Sequence, residues 1–87
     1  MLHLELDLAG RRERLALVAA GPLRESAGGE VGNVDVTLDN PRGQHTALFD
    51  PPPLGLEARI VRGAEVLFAG RVFRVRLGVQ IGVEIEA

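Results

Sequence analysis

Few side chains in this 87-residue sequence could carry out covalent catalysis. There is one serine, Ser26, and the two histidines, His3 and His45, lie far from it along the chain. A serine nucleophile needs a histidine base within hydrogen-bond reach, and that base needs an acid to orient it. No spacing motif brings such residues together, and there is no cysteine. We therefore expect no enzymatic activity and no catalytic residues.

Metal binding and acid–base chemistry have equally little support. Neither histidine has a fixed spacing to the other or to a pair of carboxylates, which metal-binding motifs require. Asp35 and Asp39 fall on the wet face of one predicted strand, and Asp39 precedes an Asn-Pro turn in which such side chains bond the backbone. Asp50 follows in a loop. We expect no metal, no cofactor and no small-molecule substrate.

The charge balance argues against a polyanionic partner. All ten basic residues are arginine, twelve residues are acidic, and the formal net charge is −2. Proteins that bind nucleic acid concentrate positive charge, so we expect no nucleic-acid partner. One alternative stays open, a small barrel of the oligonucleotide-binding type, with a basic stripe at Arg71, Arg74 and Arg76. Glu84 and Glu86 on the next strand are expected to neutralise that stripe.

Apolar residues alternate with polar ones as in strands that bury one face. The alternating segments are 2–8, 34–38 and 79–85, and further strands are predicted at 15–20, 56–62 and 66–77. Short strands separated by Gly- and Pro-rich turns are typical of all-β folds. Closure into a barrel hides the strand edges that a small open sheet would expose. We predict one domain over residues 1–87, a small antiparallel barrel of about six strands with a long Pro-rich loop.

The positions of the apolar residues also predict the hairpin registers. Facing residues of an antiparallel pair have numbers with a constant sum, and buried residues face buried ones. In the hairpin that joins 56–62 to 66–77, this pairs Ile60 with Phe68 and Arg62 with Val66. The connecting loop is then 63–65.

The last hairpin has the opposite parity. A loop at 77–79 pairs Val75 with Ile81 and Phe73 with Val83, and it places Arg74 and Arg76 outside, near Glu84. The buried face of the long strand 66–77 must therefore change parity along its length. We predict a bulge or bend at Gly70, in a strand shared between two sides of the barrel. The cluster Arg11, Arg12 and Arg14 is expected to be a solvated turn.

Two long connections remain, a polar Gly-rich segment at 21–30 and a longer one at 40–55. Such lengths are common in functional loops. Two interpretations of Phe49 stay open: it caps the barrel end, or it forms an apolar knuckle for a neighbouring subunit. Three prolines stiffen the chain after it. The candidate partner-binding residues are Leu48, Phe49, Pro51, Pro52, Pro53, Arg71, Arg74 and Arg76.

The second half of the chain resembles a known family. Residues 33–43 (NVDVTLDNPRG) resemble the early strand and turn of phage tail baseplate hub proteins, and 53–60 (PLGLEARI) is similar to their next strand. Residues 66–72 (VLFAGRV) resemble a "Leu-Phe-x-Gly-x-Val" strand of that family, and 83–87 resembles the strand that closes its barrel. The resemblance spans 33–87.

This resemblance implies a structural role. Family members use a small β-barrel to join identical copies and other tail proteins in a ring, although they usually hold at least two barrels. We therefore expect a structural subunit of a bacteriophage-type tail or baseplate, which forms homo-oligomers and docks to other tail or baseplate proteins. Charges interrupt the apolar N-terminal residues, and no apolar run approaches the roughly 20 residues of a membrane span. The expected location is the virion tail, after synthesis in the host cytoplasm, with no membrane partner.

Overall fold

The computed structural model describes residues 2–8, 10–20 and 32–87, so the predicted 21–30 loop lies outside the described residues. Six strands close into an antiparallel barrel whose neighbours run in the order β1-β2-β3-β6-β5-β4. The strands are β1 Leu2–Leu8, β2 Arg11–Ala20, β3 Asn33–Asp39, β4 Glu57–Arg62, β5 Glu65–Arg76 and β6 Gln80–Glu86. The all-β class and the closed six-stranded barrel are therefore confirmed. No helix in the described part of the chain is long and apolar enough to cross a membrane.

The inside of the barrel is filled mostly by aliphatic side chains, because the chain has only three aromatic residues. The alternation predicted for β1, β3 and β6 is present, and its inner residues are buried. They are Leu4, Leu6, Val34, Val36, Leu38, Ile81, Val83 and Ile85. Removing such side chains from water is the main source of stability in a domain of this size.

Barrel closure depends on the pairing of β1 with β4. Leu2 pairs with Arg62 and Leu6 with Ala58, while the other edge of β1 pairs with β2. The connection from β3 to β4 therefore runs past one end of the barrel. The β1–β2 turn at Gly10 and the β5–β6 turn at 77–79 lie at that same end, which we call the loop end.

The arginine cluster after Gly10 belongs to a strand, and the expectation of a solvated turn is wrong. Residues Arg11 to Arg14 continue the ladder with β1, with Leu6 opposite Glu13 and Leu8 opposite Arg11. Arg11 and Glu13 are inward-facing positions of β2 close to the loop end, and both side chains are still accessible to water. They form an ion pair at 2.9 Å. Charged residues at these positions hide the period-two pattern that marks other strands.

The β4–β5 hairpin follows only half of the predicted register. Ile60 does pair with Phe68, but Val61 pairs with Val66 and Arg62 with Glu65. The turn thus has two central residues rather than three, and its Gly63 takes a positive φ of 61°, which the first position of a type II′ turn requires. An extra β5 residue in the ladder turns Val66 outward, where its side chain is 52% exposed.

Strand β5 is shared between two neighbours, as predicted, but its irregularity lies at another residue. Residues up to Arg71 pair with β4, and residues from Arg71 onward pair with β6. The register shift falls between Val72 and Arg74 rather than at Gly70. Phe68, Gly70 and Val72 keep one inward-facing alternation, and the extra residue is Phe73.

This shift changes the last hairpin. Val75 faces Val83 rather than Ile81, and Arg76 faces Gly82. The predicted inward position of Phe73 is wrong, because at the bulge its side chain turns outward and is 36% exposed.

Candidate functional site

The 40–55 connection closes the loop end of the barrel. It contains two short 3₁₀ turns, Pro41–Gly43 and Thr46–Phe49. Phe49 is 0% exposed and belongs to the core cluster, and the half-buried Leu48 packs against that cluster. The side chain of Phe49 is thus a cap of the barrel, which was one of the two interpretations, and it is not an exposed knuckle.

The three prolines after Phe49 differ in exposure. Pro51 and Pro52 are exposed, whereas Pro53 is buried. In this loop, therefore, Pro51 and Pro52 are the predicted partner-binding residues that present their rings to solvent. Partner binding by them stays a prediction.

Asn40 holds the connection against the β5–β6 turn, and it is the one buried polar residue in the described part of the chain. Its side-chain N–H groups donate to Thr46 Oγ1 at 3.0 Å and to the carbonyl oxygen of Gly78 at 3.1 Å. Its side-chain oxygen accepts from the backbone N–H of His45 at 2.8 Å. Burial without these partners would be costly, so Asn40 orders the loop end. The predicted turn bond also forms, because Asp39 accepts from the Asn40 N–H at 3.1 Å.

Two arginines of the predicted basic stripe are engaged with acids. Arg76 donates to both oxygens of Asp35 at 2.9 Å and to Glu84 at 2.7 Å. Arg74 lies 3.6 Å from the same Glu84. These hydrogen bonds raise the pKa of the Arg76 guanidinium, and the bond with Glu84 contributes more than the bond with Asp35. The expected neutralisation by Glu84 is therefore observed for Arg74 and Arg76, whereas Glu86 forms no ion pair with the stripe among the described residues.

Arg71 is placed differently from the other two. Its guanidinium donates to the carbonyl oxygen of Gly55 at 3.0 Å. Glu57 and Glu86 are its cross-strand neighbours, yet among the described residues no carboxylate oxygen lies within 4.0 Å of it. Because a guanidinium has five N–H donors, Arg71 retains donors for a further acceptor.

Large apolar side chains are exposed mainly at the loop end. Residues 54–56 run beside the bulge, since Gly55 N donates to the Val72 oxygen at 2.7 Å and Val72 N to the Leu56 oxygen at 3.0 Å. The turn at 77–79 continues β5. Five of the seven exposed large apolar residues in the described part of the chain belong to these segments; the other two are Val18 and Val66. We call the five the loop-end apolar surface: Leu54, Leu56, Phe73, Leu77 and Val79.

These five residues do not match the sequence prediction. The 77–79 loop is where the hairpin parity predicted it, since β5 ends at Arg76 and β6 begins at Gln80. The apolar alternation also assigned Leu77 and Val79 to the inward row, and that assignment is wrong, because Val79 is 88% exposed. The predicted site and the observed surface meet at two arginines. The Arg74 guanidinium lies 6.0 Å from the centre of the Phe73 ring, and Arg71 donates to the carbonyl oxygen of Gly55, between Leu54 and Leu56.

A second charged network covers the outer face of β1, β2 and β4. Arg59 donates to Asp7 at 2.9 Å and to Glu5 at 3.5 Å, and Arg12 donates to Asp7 at 3.0 Å. The hydrogen bonds from Arg12 and Arg59 lower the pKa of Asp7, and the bond from Arg12 contributes more. We interpret this network as a structural feature, because its acids and bases satisfy one another.

The residues weighed for catalysis are scattered. His3 lies on the outer face of β1 with a buried Nδ1 that has no partner among the described residues, and His45 is in the capping loop. Ser26 lies outside the described residues. In the described part, no group of three His, Cys, Asp or Glu side chains is arranged to hold a metal ion.

Comparison with family models, with curated proteins and with solved structures finds no match to this chain.

Proposed function

We propose that this barrel is a structural subunit of a bacteriophage-type tail or baseplate, which acts by self-association and by docking to other tail proteins. The observation that carries the proposal is the loop-end apolar surface. Five large apolar side chains are exposed at this end of the barrel, on residues 54–56, which bond to Val72, and on the end of β5 with the turn that follows it. Concentrated exposure of apolar side chains marks protein-interaction sites. The resemblance of residues 33–87 to baseplate hub proteins supplies the class of partner.

The charges around this surface support a protein partner. Arg74 and Arg76 bind Glu84 and Asp35, so they add little net positive potential. Interfaces between proteins combine an apolar centre with a polar rim, and Arg71 and Arg74 supply such a rim beside Phe73. We expect the partner to cover these apolar side chains and to offer acceptors to the arginines.

The alternative, a barrel that binds nucleic acid, has less support. Single-strand binders stack bases on exposed aromatic rings along a positive groove. Phe49 and Phe68 are buried and Phe73 is 36% exposed. Two of the three arginines of the stripe, Arg74 and Arg76, are paired with acids. A steep fall in affinity with salt would identify such binding.

The test is the native mass of the particle, alone and mixed with purified phage tail and baseplate proteins. We expect a defined oligomer or complex at micromolar concentration. Exchange of Leu77 and Val79 for Ser should weaken association at least tenfold, because each removes exposed apolar area from the interface. Val18→Ser, at an apolar residue exposed elsewhere, is the matched control. A chain that stays monomeric with every such partner would contradict the proposal.

A further inference from the structure

Most charged side chains in the described part of the chain form ion pairs on the surface of the barrel. Every described arginine except Arg42 and Arg71 has a carboxylate oxygen within 4.0 Å. Among the described acids, Asp39, Asp50 and Glu86 have no such partner. Glu86 ends β6, away from the loop end. The other four charges without an ion pair need a separate explanation.

These four residues surround the loop-end apolar surface. Asp39 ends β3 beside the first residue of β6, next to the 77–79 turn. Arg42 and Asp50 belong to the connection that caps the barrel, and Arg71 donates to the carbonyl oxygen of Gly55 in that connection. All four side chains are exposed. The exposed apolar residues and the unpaired charges, two of each sign, are thus concentrated at the same end of the molecule.

This balance of charge fits an identical surface as the partner. A partner of uniform sign would leave two of the four charges without an opposite charge as water is removed, and an unpaired charge at an interface is costly. Two copies of the loop end do not repel each other, because the four charges sum to zero. In a two-fold contact the same surface of both copies is used, so each arginine of one copy can approach an aspartate of the other.

From these observations we propose that the loop ends of two copies of this chain bind each other around a two-fold axis. Each copy then covers the loop-end apolar surface of the other, and Arg42 and Arg71 of one copy lie near Asp39 and Asp50 of the second. A two-fold contact is complete with two copies, so the product is a dimer. The inference rests on the proposed function, because it names the second copy as the partner of the surface through which the subunit associates.

The first test uses the unsubstituted chain. Sedimentation velocity should show a monomer–dimer equilibrium without larger species. In a mixture of isotope-labelled and unlabelled chain, NMR should detect NOEs between copies from the methyl groups of Leu54, Leu77 and Val79. A chain that is monomeric at millimolar concentration would overturn the inference. A dimer whose contacts between copies lie away from the loop end would overturn it as well.

The second test reverses single charges at the loop end. Arg42→Glu gives this surface an excess of negative charge, and Asp50→Arg gives it an excess of positive charge. Each variant should dimerise at least tenfold more weakly than the wild type, because two identical charged surfaces repel each other. An equimolar mixture of the two variants should associate at least tenfold more tightly than either variant alone. Salt should weaken the mixed dimer, because it screens the attraction.

Arg62→Glu is the matched control. It makes the same change of charge at an exposed arginine of the β4–β5 hairpin, where Arg62 binds Glu65, and it should leave dimerisation unchanged. Wild-type dimerisation of both Arg42→Glu and Asp50→Arg would overturn the inference. If both variants associate weakly and their mixture does not recover, the loop end binds a different surface and the two-fold contact is wrong.

The outcomes separate this inference from the proposed function. If the chain is monomeric but binds tail proteins, the two-fold contact is wrong and the docking role stands. If the chain dimerises through its loop end but binds no tail protein, the two-fold contact stands and the proposed role in a tail or baseplate fails.

Discussion

Gly70 of β5 lies directly against the backbone carbonyl of Glu86, at the end of β6. A β-carbon placed on Gly70 would overlap that carbonyl oxygen and would also touch Ile85 Cγ2. The glycine therefore allows two strands to approach each other where β5 passes from one neighbour to the other. It does not mark the bulge, which is three residues further along.

Gly70→Ala is expected to destabilise the barrel by about 1–3 kcal/mol, because the backbone of β6 must move to admit a methyl group. Equilibrium unfolding in urea measures the change. Gly32→Ala is the control: a β-carbon there meets nothing within 4 Å, and its φ is not in the left-handed region. Equal stability losses in the two variants would contradict the close approach of β5 and β6.

Phe49→Leu is expected to cost about 1 kcal/mol and Phe49→Ala about 3–5 kcal/mol, because the ring fills the end of the core. Thermal or urea unfolding provides the measurement. Leu54→Ala, at an exposed residue of the loop-end apolar surface, should change stability by less than about 0.5 kcal/mol. If Phe49→Leu leaves stability unchanged but weakens association, the ring contacts a partner and does not cap the barrel.

Asp7→Asn should make the stability of the barrel less dependent on pH in the acid range. Hydrogen bonds from Arg12 and Arg59 lower the pKa of Asp7 in the folded state, below its ordinary value of about 4. The stabilisation is therefore fully present above the unfolded pKa and is lost as the pH falls through the folded pKa.

Urea unfolding at a series of pH values from 7 to 2 tests this. The stability difference between the wild type and Asp7→Asn should be largest near neutrality and should shrink in acid. Asp50→Asn is the control, because the exposed Asp50 makes no ion pair with the described residues. A difference that grows as the pH falls would have the wrong sign and would refute the role of Asp7.

Asn40→Ala should destabilise the loop end by about 1–3 kcal/mol, since it leaves the His45 N–H and the Gly78 carbonyl without their partner. The local effect is measured by hydrogen exchange at the His45 amide, which should become faster. Gln44→Ala, on the exposed side of the same loop, should leave that rate unchanged. An unchanged rate in Asn40→Ala would show that other contacts order the connection.

The alternation of apolar and polar residues predicted most of the strands, because β1, β3 and β6 each have one buried face and one face toward solvent. This prediction failed where an inward-facing position is accessible to water, as at Arg11 and Glu13. It also failed where a bulge adds one residue to the strand pairing. A bulge shifts parity without a mark in residue type, so Phe73 was assigned to the core and Gly70 to the bulge. In the β4–β5 hairpin, one extra residue of β5 between Val66 and Phe68 turned Val66 outward in the same way.

The candidate site was harder to predict than the strands. Phe49 beside three prolines fits either a cap or an exposed knuckle, and only the packing of the ring decides between them. Val79 was correctly placed in the 77–79 loop, but the alternating apolar pattern also assigned it to the inward row, and its side chain is exposed.

The pairing of β1 with β4, which closes the barrel, also has a kinetic consequence. It places Leu2 opposite Arg62, so closing the barrel brings together residues about 60 positions apart in the sequence. Closing so long a loop loses chain entropy before the contacts form, which places a barrel of this topology among the slower-folding small domains, in the millisecond-to-second range. During synthesis from the N-terminus, the chain cannot form the β1–β4 pairing until the ribosome has made β4. Until then one edge of β1 is unpaired, and a neighbouring copy of the chain can pair with it.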